Sequence, residues 1–108
     1  MNLQLGVLEE IILIILLMKN ETYGVDIAKE YENQLHQSIS LPAIHVVLKR
    51  LEKKGLVNSA MGEPTAERGG RRKRIYTATS KGFEAARYLQ QKRSEMWKLI
   101  PKTNFAAL

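Results

Sequence analysis

The apolar positions of this chain change period along its length, and each period predicts an element. From Leu3 to about Met18 apolar residues occupy most sides, with Ile11–Met18 unbroken, which reads as a deeply buried helix. Tyr23, Ile27, Tyr31 and Leu35 then recur four apart, the stripe of a second helix that Thr22 is placed to cap. Ile44, Val47, Leu48 and Leu51 follow at spacings of three, one and three. They predict a third helix, with Ser40 as its cap and Pro42 in its first turn. Gly55 ends that helix, and Leu56 is placed to fold back on its last turn. Val57–Met61 and Arg72–Ala78 have strand character, and the sequence GEPTAERGG between them suits a hairpin loop. Thr79 caps a last helix reaching about Ile100, where Pro101 stops it.

Three helices, a two-stranded hairpin and a closing helix form a mainly α chain with a small β-hairpin. That is the layout of a winged helix-turn-helix, whose third helix enters the major groove while the wing reaches the backbone or the minor groove. The expected division is a winged helix-turn-helix DNA-binding domain over 1–79 and a C-terminal dimerisation helix with a short tail over 80–108. The last helix carries more apolar surface than one packing stripe needs. Phe83, Ala85, Ala86, Tyr88, Leu89, Met96, Trp97, Leu99 and Ile100 spread over more than half its circumference. A second contact is implied, most simply a two-fold copy of the chain, with Leu89, Met96, Trp97 and Ile100 as interface candidates.

Charge sharpens this picture. The chain has 108 residues and a net charge of +6, but residues 1–40 carry two basic and six acidic side chains while the remainder carries fifteen and five. A basic half joined to an acidic one favours an aimed anionic partner over general stickiness. On the third helix the side away from the apolar stripe holds Pro42, His45, Val46, Lys49 and Lys53, with Arg50 on the flank. Cations there suit groove insertion, where they read guanine edges or neutralise phosphates. They also suit a solvated helix C-terminus, which favours positive charge by itself. The hairpin adds Arg68, Arg71, Arg72, Lys73 and Arg74 around Gly69 and Gly70. Such a cluster repels itself unless an anion answers it. The DNA-binding candidates are therefore His45, Lys49, Arg50 and Lys53 on the helix and Arg68, Arg71, Arg72 and Lys73 on the wing. Strand alternation leaves open which way Arg72 and Arg74 point.

Other classes have less support. There is no cysteine, so disulfides, thiolate metal sites and cysteine nucleophiles are excluded, and a cytoplasmic setting is expected. His36 and His45 are the sole histidines and lack companions at ligand spacing, and no phosphate-loop, dinucleotide or nucleophile pattern occurs. The expectation is no enzyme, no metal and no cofactor. Ile11–Met18 follows Glu9 and Glu10 rather than a cationic lead, and is too short to span a membrane. The alternative to specific DNA binding is a winged-helix module used for protein or RNA contacts, since fold does not dictate function.

Leu5-Gly6-Val7-Leu8-Glu9 with Ile12 and Leu13, then Tyr23-Gly24-Val25-Asp26-Ile27, resemble the first two helices of the PadR family of bacterial transcriptional regulators. Leu48 to Val57 (LKRLEKKGLV) is similar to that family's recognition-helix end. Gly69-Gly70-Arg71-Arg72-Lys73, Tyr76 and Thr79-Ser80-Lys81-Gly82 resemble its wing and the start of its last helix. The chain departs from the family at His45 and Val46, where members often carry Tyr-Pro. The resemblance implies a homodimeric repressor, held by its last helix, that binds a double-stranded DNA operator and releases it on binding a small molecule. It also implies a role for Trp97, late on that helix: a tryptophan from each subunit sandwiching a small planar hydrophobic effector. The competing reading is that Trp97 is an interface or core anchor.

Overall fold

The computed structural model of the chain describes residues 4–62 and 73–104. Its elements are α1 (Val7–Met18), α2 (Gly24–Leu35), α3 (Leu41–Lys53), β1 (Val57–Met61), β2 (Arg74–Ala78) and α4 (Ser80–Lys98), with a 3₁₀ turn at Lys102–Asn104. The order is that of a winged helix. Ile12, Leu13, Leu16, Ile27, Ile44, Leu48, Leu51 and Val57 are sealed from solvent and form the centre of the core. Burying each such side chain is worth about 1.5–3 kcal/mol, so α1, which supplies three of them, is the axis on which the other elements pack.

Caps set the element ends. Ser40 Oγ accepts from the Ala43 amide at 3.2 Å and Thr79 Oγ1 from the Gly82 amide at 3.0 Å, each satisfying a donor that the first helical turn leaves unpaired. At the end of α3, Gly55 turns left-handed (φ 76°). Its amide donates to the Glu52 carbonyl and the Leu56 amide to that of Leu51, both at 3.0 Å. That pairing is the Schellman arrangement, and it returns Leu56 to the core.

Thr22 does not cap α2. The N-cap residue is Tyr23, with no side-chain bond. Thr22 instead pairs through its backbone with Tyr76, accepting from the Tyr76 amide at 2.8 Å and donating to its carbonyl at 3.2 Å. It is a one-residue strand on the outer edge of β2. Tertiary pairing satisfies both of its main-chain groups, which outweighs the local preference of a threonine for a cap. Two other ends shift: α1 begins at Val7 and α4 ends at Lys98.

The hairpin is antiparallel, with Val57 opposite Ala78, Ser59 opposite Tyr76 and Met61 opposite Arg74. Those six residues share one face, which starts in the core at Val57 and ends beside α3. The expected strand residue Arg72 lies outside the described residues.

Two glutamates of α1 are buried among its apolar residues. Glu9 meets the Lys54 ammonium at 2.6 Å, and that ammonium also donates to the Gln4 carbonyl at 2.9 Å. Glu10, 3% exposed, is in ion-pair contact with Arg93 of α4. No donor hydrogen is directed at its Oε2, so the contact is one of charge. It marks the place where α4 leaves the body. Earlier in α4, Ala85 and Ala86 belong to the core, and a Cβ on Gly82 would come within 2.3 Å of the Leu56 carbonyl oxygen. Beyond Arg93, Met96, Trp97 and Leu99 are 66%, 68% and 80% exposed. A Cα radius of gyration of 16.6 Å, against about 13 Å for a compact chain of 100 residues, reflects that projection.

Candidate nucleic-acid interface

α3 divides cleanly by side. Ile44, Val47, Leu48 and Leu51 are buried, while His45, Val46, Lys49, Arg50, Lys53 and Pro42 are exposed. At 100° per residue, Pro42, Val46, Lys49 and Lys53 form the row opposite the buried stripe. His45 and Glu52 flank that row on the hairpin side and Arg50 on the other. Lys54 is not part of this surface, being turned back onto Glu9.

Between α3 and the hairpin lies an open groove of about 530 Å³, lined by His45, Val46, Lys49, Glu52, Ser59, Arg74 and Tyr76. Two bridges span it. Ser59 donates to Glu52 at 2.6 Å while accepting from Arg74 Nη1 at 3.0 Å, so a carboxylate on the helix and a guanidinium on β2 meet through one hydroxyl. Tyr76 Oη stands 3.3 Å from His45 Nδ1. Burial pushes the Tyr76 phenol above its ordinary range, with the nearby Arg74 charge opposing the shift. Which of the two groups donates is set by the imidazole tautomer. The start of α2 closes this end, since a Cβ on Gly24 would stand 3.1 Å from His45 Cε1.

At the loop end of the hairpin strands, the Lys73 ammonium sits 4.8 Å from the centre of the Tyr23 ring, a cation–π contact that ties the hairpin to the start of α2. Arg68, Arg71 and Arg72 lie outside the described residues. The structure thus brings His45 and Lys49 to one groove, puts Lys53 farther along the outward row and Arg50 on the far flank, and places Lys73 at the loop end of the hairpin strands. It adds Ser59, Glu52, Arg74 and Tyr76, which sequence reasoning does not select. The signal for Tyr76 and Arg74 was the two-residue period of β2, but the direction of that face depends on how the hairpin docks.

Leu89, Met96 and Trp97 lie along the projecting helix, and Ile100 two residues past its end. Leu89 is half-buried and the others are exposed. The expected excess of apolar surface is present but differs in shape. Ala85, Leu89 and Met96 fall within about 40° of one another, so the stripe that is core at the start of α4 runs on uncovered past the body. Trp97 borders a shallow recess of about 290 Å³ with Arg93, Ser94 and Lys98. Among the described residues there is no group of three or more side chains suited to hold a metal, and no helix is long and apolar enough to cross a membrane.

A winged helix with a cationic outward row on its third helix defines a class of DNA-contacting folds, and comparison with known proteins identifies the branch. The model of the PadR-like family of transcriptional regulators matches residues 12–88, and the chain belongs to that family. It is similar to a PadR family transcription regulator from Clostridium difficile R20291, with 26% identity, 94% of this chain and 99% of that one covered, and a TM-score of 0.73. A transcriptional regulator from Clostridium thermocellum gives 25% identity, coverage of 93% and 90%, and a TM-score of 0.72. Bacillus subtilis PadR, solved in complex with operator DNA, gives 25% identity and a TM-score of 0.68 over 79% of this chain and 48% of that one. No curated protein matches the chain.

Proposed function

We propose that this chain is a sequence-specific DNA-binding regulator that acts as a homodimeric repressor on a palindromic operator. The observation that carries the reading is the outward row of α3, where Lys49 and Lys53 stand exposed on the side turned away from the core. His45 and Arg50 flank that row, Lys73 stands just before the second strand, and Arg68, Arg71 and Arg72 fall between the two strands in sequence. In this reading Lys49 and His45 reach base edges, while Arg50, Lys53 and the wing cations neutralise phosphates. That Bacillus subtilis PadR, to which the chain is similar, is solved in complex with operator DNA supports the DNA-binding reading in general.

The dimer follows from the uncovered stripe of α4, with Leu89, Met96, Trp97 and Ile100 meeting their copies across a two-fold axis. Val7, Ile14 and Met18 of α1 are also exposed and extend the apolar surface available to the partner. A two-fold dimer presents two copies of α3, so the half-sites are expected about 10 base pairs apart. A small planar hydrophobic effector would enter at the recess beside Trp97, between the protomers, and its binding would release the operator.

A titration against the DNA upstream of the chain's own gene, beside a scrambled duplex, tests the reading at two salt concentrations. Tighter binding to the native fragment, falling steeply as salt rises, is the expected result. Absence of binding to either duplex at low salt overturns it in favour of a protein-interaction module. For the effector, planar dyes should quench the fluorescence of Trp97, the sole tryptophan, and weaken operator binding. A dye that does neither removes that part of the proposal.

A further inference from the structure

The side chains of the groove differ in how far they are already engaged. Glu52 accepts from Ser59, Arg74 donates to Ser59, and His45 meets Tyr76. One polar atom of each is thus held by the protein itself. Val46 stands in the middle of the outward row, 51% exposed, with Pro42 four residues before it and Lys49 three after. An isopropyl group in that position gains nothing from water and has no phosphate or hydrogen-bonding base edge to pair with. The apolar feature offered by the major groove is the C5-methyl group of thymine.

Resting on the DNA-binding reading above, we infer that Val46 is a specificity-determining residue that packs on the C5-methyl of one thymine in each half-site. Three features support this. Val46 lies in the first half of a 13-residue helix, the part that reaches base edges when such a helix enters the groove. Lys49, one turn later on the same row, supplies a cation to hold the neighbouring backbone or a guanine edge, which keeps the helix pressed to the groove floor. The buried residues Val47 and Leu48 beside it fix the helix rotation, so the Val46 side chain cannot turn inward. A β-branched side chain is also stiff about χ1 and presents its methyls with little rotamer freedom to lose on contact.

The test uses the full chain and duplexes it selects from a randomised pool. Each thymine of the selected site is replaced in turn by deoxyuridine, which removes the methyl and leaves the pairing edge intact. One thymine per half-site should respond, with affinity falling about fourfold for each methyl lost, the equivalent of one buried carbon. Val46→Ala should bind the thymine and uracil duplexes alike, and Val46→Thr, which keeps a methyl, should retain the difference. The inference is overturned if no thymine responds in the wild-type chain, or if Val46→Ala keeps the full response. Failure to select any sequence overturns the DNA-binding reading itself, a separate result.

Discussion

The first helix and the outer half of the last both carry large apolar side chains, and those side chains meet opposite fates. In α1, Ile12, Leu13, Ile15 and Leu16 are buried and even Glu9 and Glu10 are drawn inside, each with a cation from a later element. Beyond Arg93, Met96 and Trp97 of α4 and Leu99 just after it stand in solvent. α1 is apolar at nearly every position and the outer part of α4 is largely polar, but it is packing that decides the fate of the large apolar side chains each carries. α1 is ringed by α2, α3, β2 and the start of α4, whereas the chain has no later helix among the described residues to lay over α4. Apolar surface that its own chain does not cover is surface for something else.

The widest gap between the two regions should appear in stability. Leu13→Ala removes a fully buried side chain at the meeting of α1 and α4 and should cost about 3–5 kcal/mol, read by chemical denaturation. Met96→Ser with Trp97→Ser should leave the unfolding free energy of a single protomer within about 0.5 kcal/mol. That pair should instead halve the mass seen by sedimentation and remove any dependence of the unfolding midpoint on protein concentration. A large loss of protomer stability from the pair would erase the distinction between buried and bare apolar helix.

A smaller effect tests the groove end of the body. The native Tyr76 phenol ionises at higher pH than an unfolded tyrosine, because burial disfavours its anion. The associated stability is intact below about pH 10, where an unfolded tyrosine titrates. It is lost as pH rises through the higher native value, since the unfolded state releases its proton first. Tyr76→Phe should therefore flatten the alkaline limb of the stability profile. An unchanged limb would mean that Tyr76 does not contribute to it.

The smallest change is a gain. His36, at the end of α2, has φ 55°, a left-handed conformation that favours glycine. His36→Gly should stabilise the chain by about 0.5–1 kcal/mol, a rise of a few degrees in the melting temperature. A loss would show that the imidazole makes a contact worth more than the strain it imposes.

Much of this protein was legible before any coordinates. The stripe Ile44, Val47, Leu48 and Leu51 has a helical period, so it marks both the buried face of α3 and, by subtraction, the outward row that carries Lys49 and Lys53. The caps at Ser40 and Thr79 and the turn at Gly55 are chemical preferences acting within a few residues, and local signals of that range survive into the fold. Other features depended on which elements came together. Thr22 has the chemistry of a cap but became a strand because Tyr76 arrived beside it. Lys54 looks like one more cation of α3 and is spent instead on Glu9 and on the carbonyl of Gln4, fifty residues before it. The Glu52–Ser59–Arg74 bridge joins a helix to both strands of the hairpin, so no single period could announce it. Periodicity tells which side of an element is apolar, because that depends on residues a turn apart. Which polar groups are satisfied inside the molecule, and which stay free to meet a partner, is decided only when distant segments pack.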